Sequence, residues 1–299
     1  MKTIDTLVPD IYEVLKTRGG WDAAITDFMS EGMRELFFHR LEDDEQERDG
    51  TLRMSNIGKP CKRQLYYEAH DPDGREEFAP STLLKFIYGD MIELLVLSLA
   101  QAAGHDVRGM QDELEISDIK GHRDAVIDGV TVDVKSASPY SFTKFKEGTL
   151  EDDDPFGYLT QLSSYVYAGH KEDSTINPVL GAFLAINKVS GELHLDVHQF
   201  TFESGQKEEE YETVKELMVQ EEPPHRGFEP VEDGYTNKKR EFVPNGNLKL
   251  GLNCSYCSHK HSCYDNIRTF MYKRGNSYQP VYLVHVEKEP KVLEVTNDE

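Results

Sequence analysis

Hydrophobic positions recur every three to four residues through residues 10–40, most plainly in "WDAAITDFMSEGMRELFFHRL", and predict helices there. The acidic run "EDDEQERDG" breaks that pattern and reads as an exposed loop. In "SNIGKPCKRQLYYEAH", Pro60 precedes a short helix with Cys61 at its start. Ser81 is the expected N-cap of a long helix, "TLLKFIYGDMIELLVLSLAQAA", which Gly104 stops. That helix is apolar around most of its circumference, so its burial is expected. Residues 107–135 switch to strand character, and a loop at "EDDDP" leads to a helix over 155–169. "PVLGAFLAINKVSGELHLDVHQF" predicts two strands joined at a Ser-Gly turn. A charged helix over 204–221, the loop "EEPPHRGFEP", a cysteine-bearing segment and a loose tail complete the reading. The implied organisation is an N-terminal helical segment (1–50), a main domain (51–275) and a tail (276–299).

"GHRDAVIDGVTVDVKS" carries the most chemistry. Asp128-Gly129 is a strong signal for a two-residue hairpin turn. If those two residues form the loop, Ile127 faces Val130, and counting outward sets Asp124 opposite Asp133. Opposed residues share a sheet face with Cβ atoms ~5 Å apart. Alternation adds Lys135 to that face and turns Val130, Val132 and Val134 toward a core. Two opposed carboxylates repel, and a divalent cation relieves the conflict; alternatively both splay into solvent. Three further positions are weaker signals. Gln161 and Tyr165 share a helix face, where an aromatic is usually core. Glu93 lies in the apolar helix and needs a partner, unless Asp90, Glu93 and Gln101 form a narrow wet stripe.

Composition narrows the class. With 38% hydrophobic and 29% charged residues, the chain reads as a soluble globular protein. No apolar run has membrane-spanning length and the first residues lack a signal peptide's apolar stretch, so a cytoplasmic protein with no membrane partner is expected. A net charge of −22 argues against general adhesion to nucleic acid. The local basic spots are Lys144 with Lys146, "NKKR" at 237–240, and Arg268 with Lys273 and Arg274; each reads first as solvated surface.

Of the four cysteines, Cys254, Cys257 and Cys263 fall within "CSYCSHKHSC", and Cys61 is far upstream. In a reducing compartment clustered thiols bind metal more often than they form disulfides, although an even count also permits two disulfides. His259 and His261 read as surface residues of the short loop.

Taken in order, these motifs resemble the RecB-like nucleases of the PD-(D/E)XK superfamily, and within it the iron–sulfur branch. The order is Cys61, Glu93 after "YGDMI", Asp124 in "GHRD", Asp133 and Lys135 in "DVK", Gln161 and Tyr165 in "QLSSY", then Cys254, Cys257 and Cys263. The match spans residues 55–265. Many members carry histidine where Glu93 stands, and Asp133 replaces the commoner glutamate. The resemblance implies an α/β, restriction-endonuclease-like core with a mixed central sheet flanked by helices and stapled by a four-cysteine centre. That centre would be a [4Fe–4S] cluster, with a four-cysteine zinc site as the rival. It implies a metal-dependent DNA exonuclease acting on single-stranded or free ends, with a helicase or recombination protein as a further partner. Glu93, Asp124, Asp133 and the Val134 carbonyl would hold Mg²⁺ or Mn²⁺, Lys135 would orient the attacking water, and Gln161 and Tyr165 would line the groove. The alternative is a catalytically silent nuclease-fold module that binds DNA or protein.

Overall fold

The computed structural model describes residues 2–41, 51–275 and 277–295, so the acidic run at 42–50 lies outside the described residues. In chain order the elements are α1 (Leu7–Thr17), α2 (Ala23–Leu41), α3 (Met54–Ile57), α4 (Lys62–His70), α5 (Pro80–Ala102), β1 (Val107–Arg108), β2 (Glu113–Ile116), β3 (Ile119–His122), β4 (Ala125–Ile127) and β5 (Val130–Ala137). They continue with α6 (Pro139–Glu147), α7 (Tyr158–Glu172), β6 (Leu180–Asn187), β7 (Leu193–Gln199), α8 (Gln206–Met218), β8 (Val231–Thr236) and β9 (Phe242–Lys249). The last are α9 (Leu252–Ser255), α10 (Lys260–Cys263), β10 (Arg268–Arg274), β11 (Ser277–His285) and β12 (Glu294–Val295). This is a mixed α/β chain in two compact units. One contains Leu52–Gly58 and Phe78–Glu216 with the N-terminal helices; the other contains Lys59–Glu77 and Leu217–Glu299. The division cuts across the single 51–275 domain read from the sequence. Among the described residues, no helix is long and apolar enough to cross a membrane.

The first unit is built on a five-stranded sheet in the order β1-β4-β5-β6-β7. Only β5 and β6 are parallel, and α6 and α7 lie in the crossover between them. Central β5 is buried on both faces over its first five residues, as expected of a strand covered on both sides. One face carries Val130, Val132, Val134, Ala182 and Leu184 against α1 and the C-terminal half of α5. Leu7, Ile11 and Val14 bring α1 into that core at helical spacing, so the N-terminal segment is integral to the unit. The other face carries Phe183 and Ala185 against Phe142, Phe145, Leu162 and Val166 of α6 and α7. Register sets Asp133 beside Phe183 and Lys135 beside Ala185, so both functional candidates lie on this second face.

The long helix differs from the sequence reading in two respects. It starts at Pro80, where a residue without an N–H loses nothing, and Ser81 sits exposed in the first turn while Ala79 occupies the cap. Burial is confined to the half beyond Leu95; Leu83, Leu84 and Tyr88 are exposed. Its end is as expected, with Gly104 left-handed at φ 83.

The second unit holds an antiparallel sheet in the order β12-β10-β11-β9-β8. Two sequence expectations fail here. The loop "EEPPHRGFEP" does not lead directly into the cysteine segment, because β8 and β9 intervene. Residues 277–285 are a strand rather than tail, and Arg268 of β10 binds Glu289 and Glu294 beyond it.

Candidate active site

The β4–β5 hairpin turns at Asp128-Gly129, whose φ values of 50 and 80 are those of a two-residue turn with both residues left-handed. The pairs Ile127↔Val130, Val126↔Thr131 and Ala125↔Val132 follow, so the β4–β5 ladder stops one pair short of Asp124 and Asp133, and Asp133 pairs instead with Phe183 of β6. The Asp128 carboxylate fixes the turn, accepting from His105 Nδ1 (2.6 Å) and Asp106 N (3.1 Å).

At the open end of the hairpin the acids converge. Asp124 Oδ2 accepts the Val134 N–H at 2.7 Å, which takes up a backbone donor beyond the end of the β4–β5 pairing. Asp133 is almost wholly buried, and Lys135 Nζ lies 2.6 Å from its Oδ2. That contact is an ion pair by distance, yet its direction leaves Oδ2 without a well-formed hydrogen bond. Glu93 comes from half-buried α5, and its Oε1 accepts from Gln111 Nε2 at 2.6 Å. Glu93 therefore has a partner on the strand side, and neither Asp90 nor Gln101 is needed to explain it.

The protonation pattern expresses this crowding. Burial pushes the Glu93 carboxyl up to about 7, with Asp133 and Asp90 adding and Gln111 and Lys135 opposing. Burial also holds Asp124 well above the usual carboxylate range, with Asp133 and Glu93 adding to the shift. Lys135 goes the other way. Burial alone would lower its ammonium, but Asp133 and Asp124 overcome that and keep it above the usual lysine range. Tyr165 is buried, its hydroxyl is pushed up to about 12 by burial, and it interacts with Asp133 and Asp124; Gln161 Nε2 reaches its oxygen only at a long 3.5 Å.

The first unit thus brings Glu93, Asp124, Asp133, Lys135, Gln161 and Tyr165 into one neighbourhood, with Val134 held through its N–H. Several acids near enough to raise one another, with one buried carboxylate oxygen lacking a directed donor, are the donor type that a hard divalent cation takes. Among the described residues, no group of three or more His, Cys, Asp or Glu side chains is drawn into ligand geometry. Lys135 stands at the position of positive charge instead.

Two residues escaped the sequence reading. Tyr158 places its ring 4.7 Å from Lys135 Nζ, and it is positioned because Asp154 caps α7 through the Tyr158 and Leu159 N–H groups. Gln111, left-handed at φ 56, aims its amide at Glu93 from a turn. The periodicity of α7 pointed to Gln161 and Tyr165; Tyr158 shares their face at i, i+3 and i+7, a signal the reading from Gln161 onward did not use.

The four cysteines all fall in the second unit and are free thiols. Cys61 precedes the first turn of α4, Cys254 lies in α9, Cys257 follows it, and Cys263 ends α10. Hydrogen bonds join the two chain segments around them: Arg63 Nη1 to Pro224 O (2.9 Å), Tyr66 OH to Glu221 O (3.1 Å) and Ser262 Oγ to Asp71 Oδ2 (2.9 Å). The Gly227 backbone packs on Cys61 so closely that an added Cβ would meet its Sγ at 3.2 Å. Burial pushes the Cys257 thiol up to about 11, with Cys61, Cys254 and Cys263 adding and the His259 N–H opposing. Cys254 is raised by burial, then by Cys61 and Cys263. The four sulfurs therefore feel one another, although they too fall outside preformed ligand geometry. His259 is fully buried with both ring nitrogens unpartnered, contrary to the expectation of a surface residue.

No family model and no curated protein matches the chain. Among solved structures it is similar to the one described as "Crystal structure of SSO0001", with 16% identity and a TM-score of 0.39 over 79% of this chain and 94% of that one. A likeness at that distance assigns neither fold nor function.

Proposed function

We propose that the chain is a metal-dependent DNA nuclease of the RecB-like type, with a restriction-endonuclease-like core in its first unit, acting on single-stranded or free ends as an exonuclease. The observation that carries this reading is the crowding of Glu93, Asp124 and Asp133 at the open end of one hairpin. Two of them are held above the usual carboxylate range, by burial first and then by one another, with Lys135 partly opposing. These carboxylates, with the Val134 carbonyl, are the proposed ligands of Mg²⁺ or Mn²⁺. Bound there, the ion supplies charge neutralisation at the scissile phosphate and an acidified water.

The chain's own groups divide the remaining work. Lys135 stays protonated, so it acts as a cation that steadies developing charge on phosphate rather than as a base. Glu93, raised to about 7, would be favoured in its ionised form by a cation held there. Tyr165 remains a neutral hydroxyl facing the acids. In the second unit the donor set of Cys61, Cys254, Cys257 and Cys263 fits a [4Fe–4S] centre in number and chemistry, and equally a zinc ion. Once bound, either would join the two chain segments of that unit.

One observation favours the second reading, a nuclease-fold module that binds without cutting: the Lys135–Asp133 pair already supplies a cation to the site. The test is incubation of end-labelled single-stranded and duplex DNA with the parent protein, with Mg²⁺ or Mn²⁺ titrated. Shortened strands that disappear with Lys135→Ala at every metal concentration, and with Asp124→Ala at low metal, support the nuclease. A parent that binds DNA but never shortens it under either metal leaves the binding module.

A further inference from the structure

The proposed nuclease has to hold a polyanion with a chain of net charge −22. Several of the basic side chains along the sequence are neutralised in the fold, although Lys273 and Arg274 of β10 stay exposed with no ion pair among the described residues. Lys144 pairs with Asp153, Lys146 with Glu192, and Arg268 with Glu289 and Glu294. The tip of the β8–β9 hairpin differs. Lys238, Lys239 and Arg240 are consecutive and exposed, and among the described residues no carboxylate lies within ion-pair distance of any of them. Asn237 organises the turn from inside. Its Oδ1 accepts the Lys239 and Glu241 N–H groups at 2.8 and 3.0 Å, and its Nδ2 donates to the Glu241 carboxylate at 2.9 Å. The neighbouring acid is thereby engaged away from the three cations. Arg240 takes a left-handed φ of 63, a conformation that glycine or asparagine adopts at lower cost.

Aromatic rings flank the tip. Tyr235 is 62% exposed and stands opposite Val243, while Phe242 is 53% exposed and lies on the other face across Gly234, where an added Cβ would meet its ring at 2.8 Å. Phe242 is therefore anchored, and Tyr235 is an open platform. The base of the arm is firmly held. Buried Asp233 accepts from Lys249 Nζ (2.9 Å), Asn245 Nδ2 (2.8 Å) and Tyr272 OH (2.8 Å). Exposed cations beside an exposed ring on a fixed hairpin match single-stranded nucleic acid, whose phosphates and unstacked bases need those two chemistries. An acidic peptide would use the charges and leave the ring idle.

We propose that the β8–β9 hairpin is a strand-gripping arm: Lys238, Lys239 and Arg240 hold the phosphates of single-stranded DNA while a base stacks on Tyr235. The choice of DNA rests on the nuclease reading; the arm itself rests on the hairpin. The test is anisotropy of a labelled oligothymidine strand on the full chain, in chelator so that nothing is cut, across a salt series. The variants are the triple Lys238→Gln/Lys239→Gln/Arg240→Gln and the single Tyr235→Ala, both at exposed positions, with thermal melts checking the fold. The triple variant is expected to bind at least about tenfold more weakly and to lower the slope of log affinity against log salt by about 2. Tyr235→Ala is expected to weaken binding about tenfold with the slope unchanged. Unchanged affinity and slope in the triple variant overturn the arm, as does a parent that binds no DNA. If polyglutamate competes as well as unlabelled DNA and Tyr235→Ala changes nothing, the single-strand assignment is overturned. Cleavage with metal, measured separately, keeps the two ideas apart. A parent that cuts while the triple variant binds normally retains the nuclease and loses the arm, and the reverse pattern retains the arm alone.

Discussion

At the scale of single residues, Glu93 is the most informative group because its proton is linked to folding. Its carboxyl is raised from an ordinary 4.5 to about 7, so the folded state binds a proton that the unfolded chain has released. Its contribution is fully present below the ordinary value and is lost as pH rises through about 7, by up to about 3 kcal/mol. Asp124, also raised, acts with the same sign. Urea unfolding of metal-free Glu93→Gln should therefore show a flatter pH dependence than the parent and a gain of about 1–3 kcal/mol near pH 8. An unchanged pH slope would mean that the carboxyl is solvated. Tyr158 is the second test at this scale. Its ring faces the Lys135 ammonium, a contact worth about 1–2 kcal/mol when shielded from water. Tyr158→Leu should slow single-turnover cleavage about tenfold without changing DNA affinity, and Tyr158→Phe should retain the rate. Equal loss in both variants would assign the effect to the hydroxyl instead.

At the scale of elements, the start of α7 holds Tyr158, Gln161 and Tyr165 in place. Gly157 is left-handed at φ 74, and an added Cβ would stand 2.2 Å from the Gly58 carbonyl oxygen. Gly157→Ala should cost about 3 kcal/mol in urea unfolding, combining backbone strain with a clash that no side chain can relieve. A loss under about 1 kcal/mol would show that the α3–α7 approach yields easily. The site hairpin was legible in the sequence because Asp128-Gly129 admits few other turns, and a period of two then fixes which side chains share a face. The strands of the second unit were not legible. Pro244 and Gly246 interrupt β9, Asp233 and Gly234 interrupt β8, and Pro280 lies in β11. Their pairing is supported by distant partners such as Asn247, which bonds the Glu287 and Lys288 backbone, and no local window contains that information. The exposed half of α5 misled for a related reason: composition gives the apolar surface of a helix but not what covers it.

At the scale of the whole molecule, the chain order of the cysteines acquires a physical meaning. Lys59–Glu77 and Leu217–Glu299 form one unit although the other unit's sequence lies between them, and the four cysteines are divided between these two segments. Their sequence spacing was visible, but the burial that raises Cys254 and Cys257, with smaller contributions from the other cysteines, depends on the fold. Protein purified without oxygen should contain iron and absorb broadly in the visible, and Cys61→Ser should lose both that absorption and thermal stability. Zinc in a colourless protein would keep the four-thiol staple and discard the cluster. Neither metal in the parent would discard both.

If the proposed site around Lys135 cuts DNA, single-turnover cleavage of end-labelled single strands across an Mn²⁺ titration separates its parts. Lys135→Ala should bind DNA and retain its fold yet lose cleavage at every Mn²⁺ concentration, because it removes charge stabilisation in the chemical step rather than a metal ligand. Asp124→Ala should recover part of its activity as Mn²⁺ rises, because its defect is metal affinity. Cleavage by Lys135→Ala at the parent's rate would contradict the account.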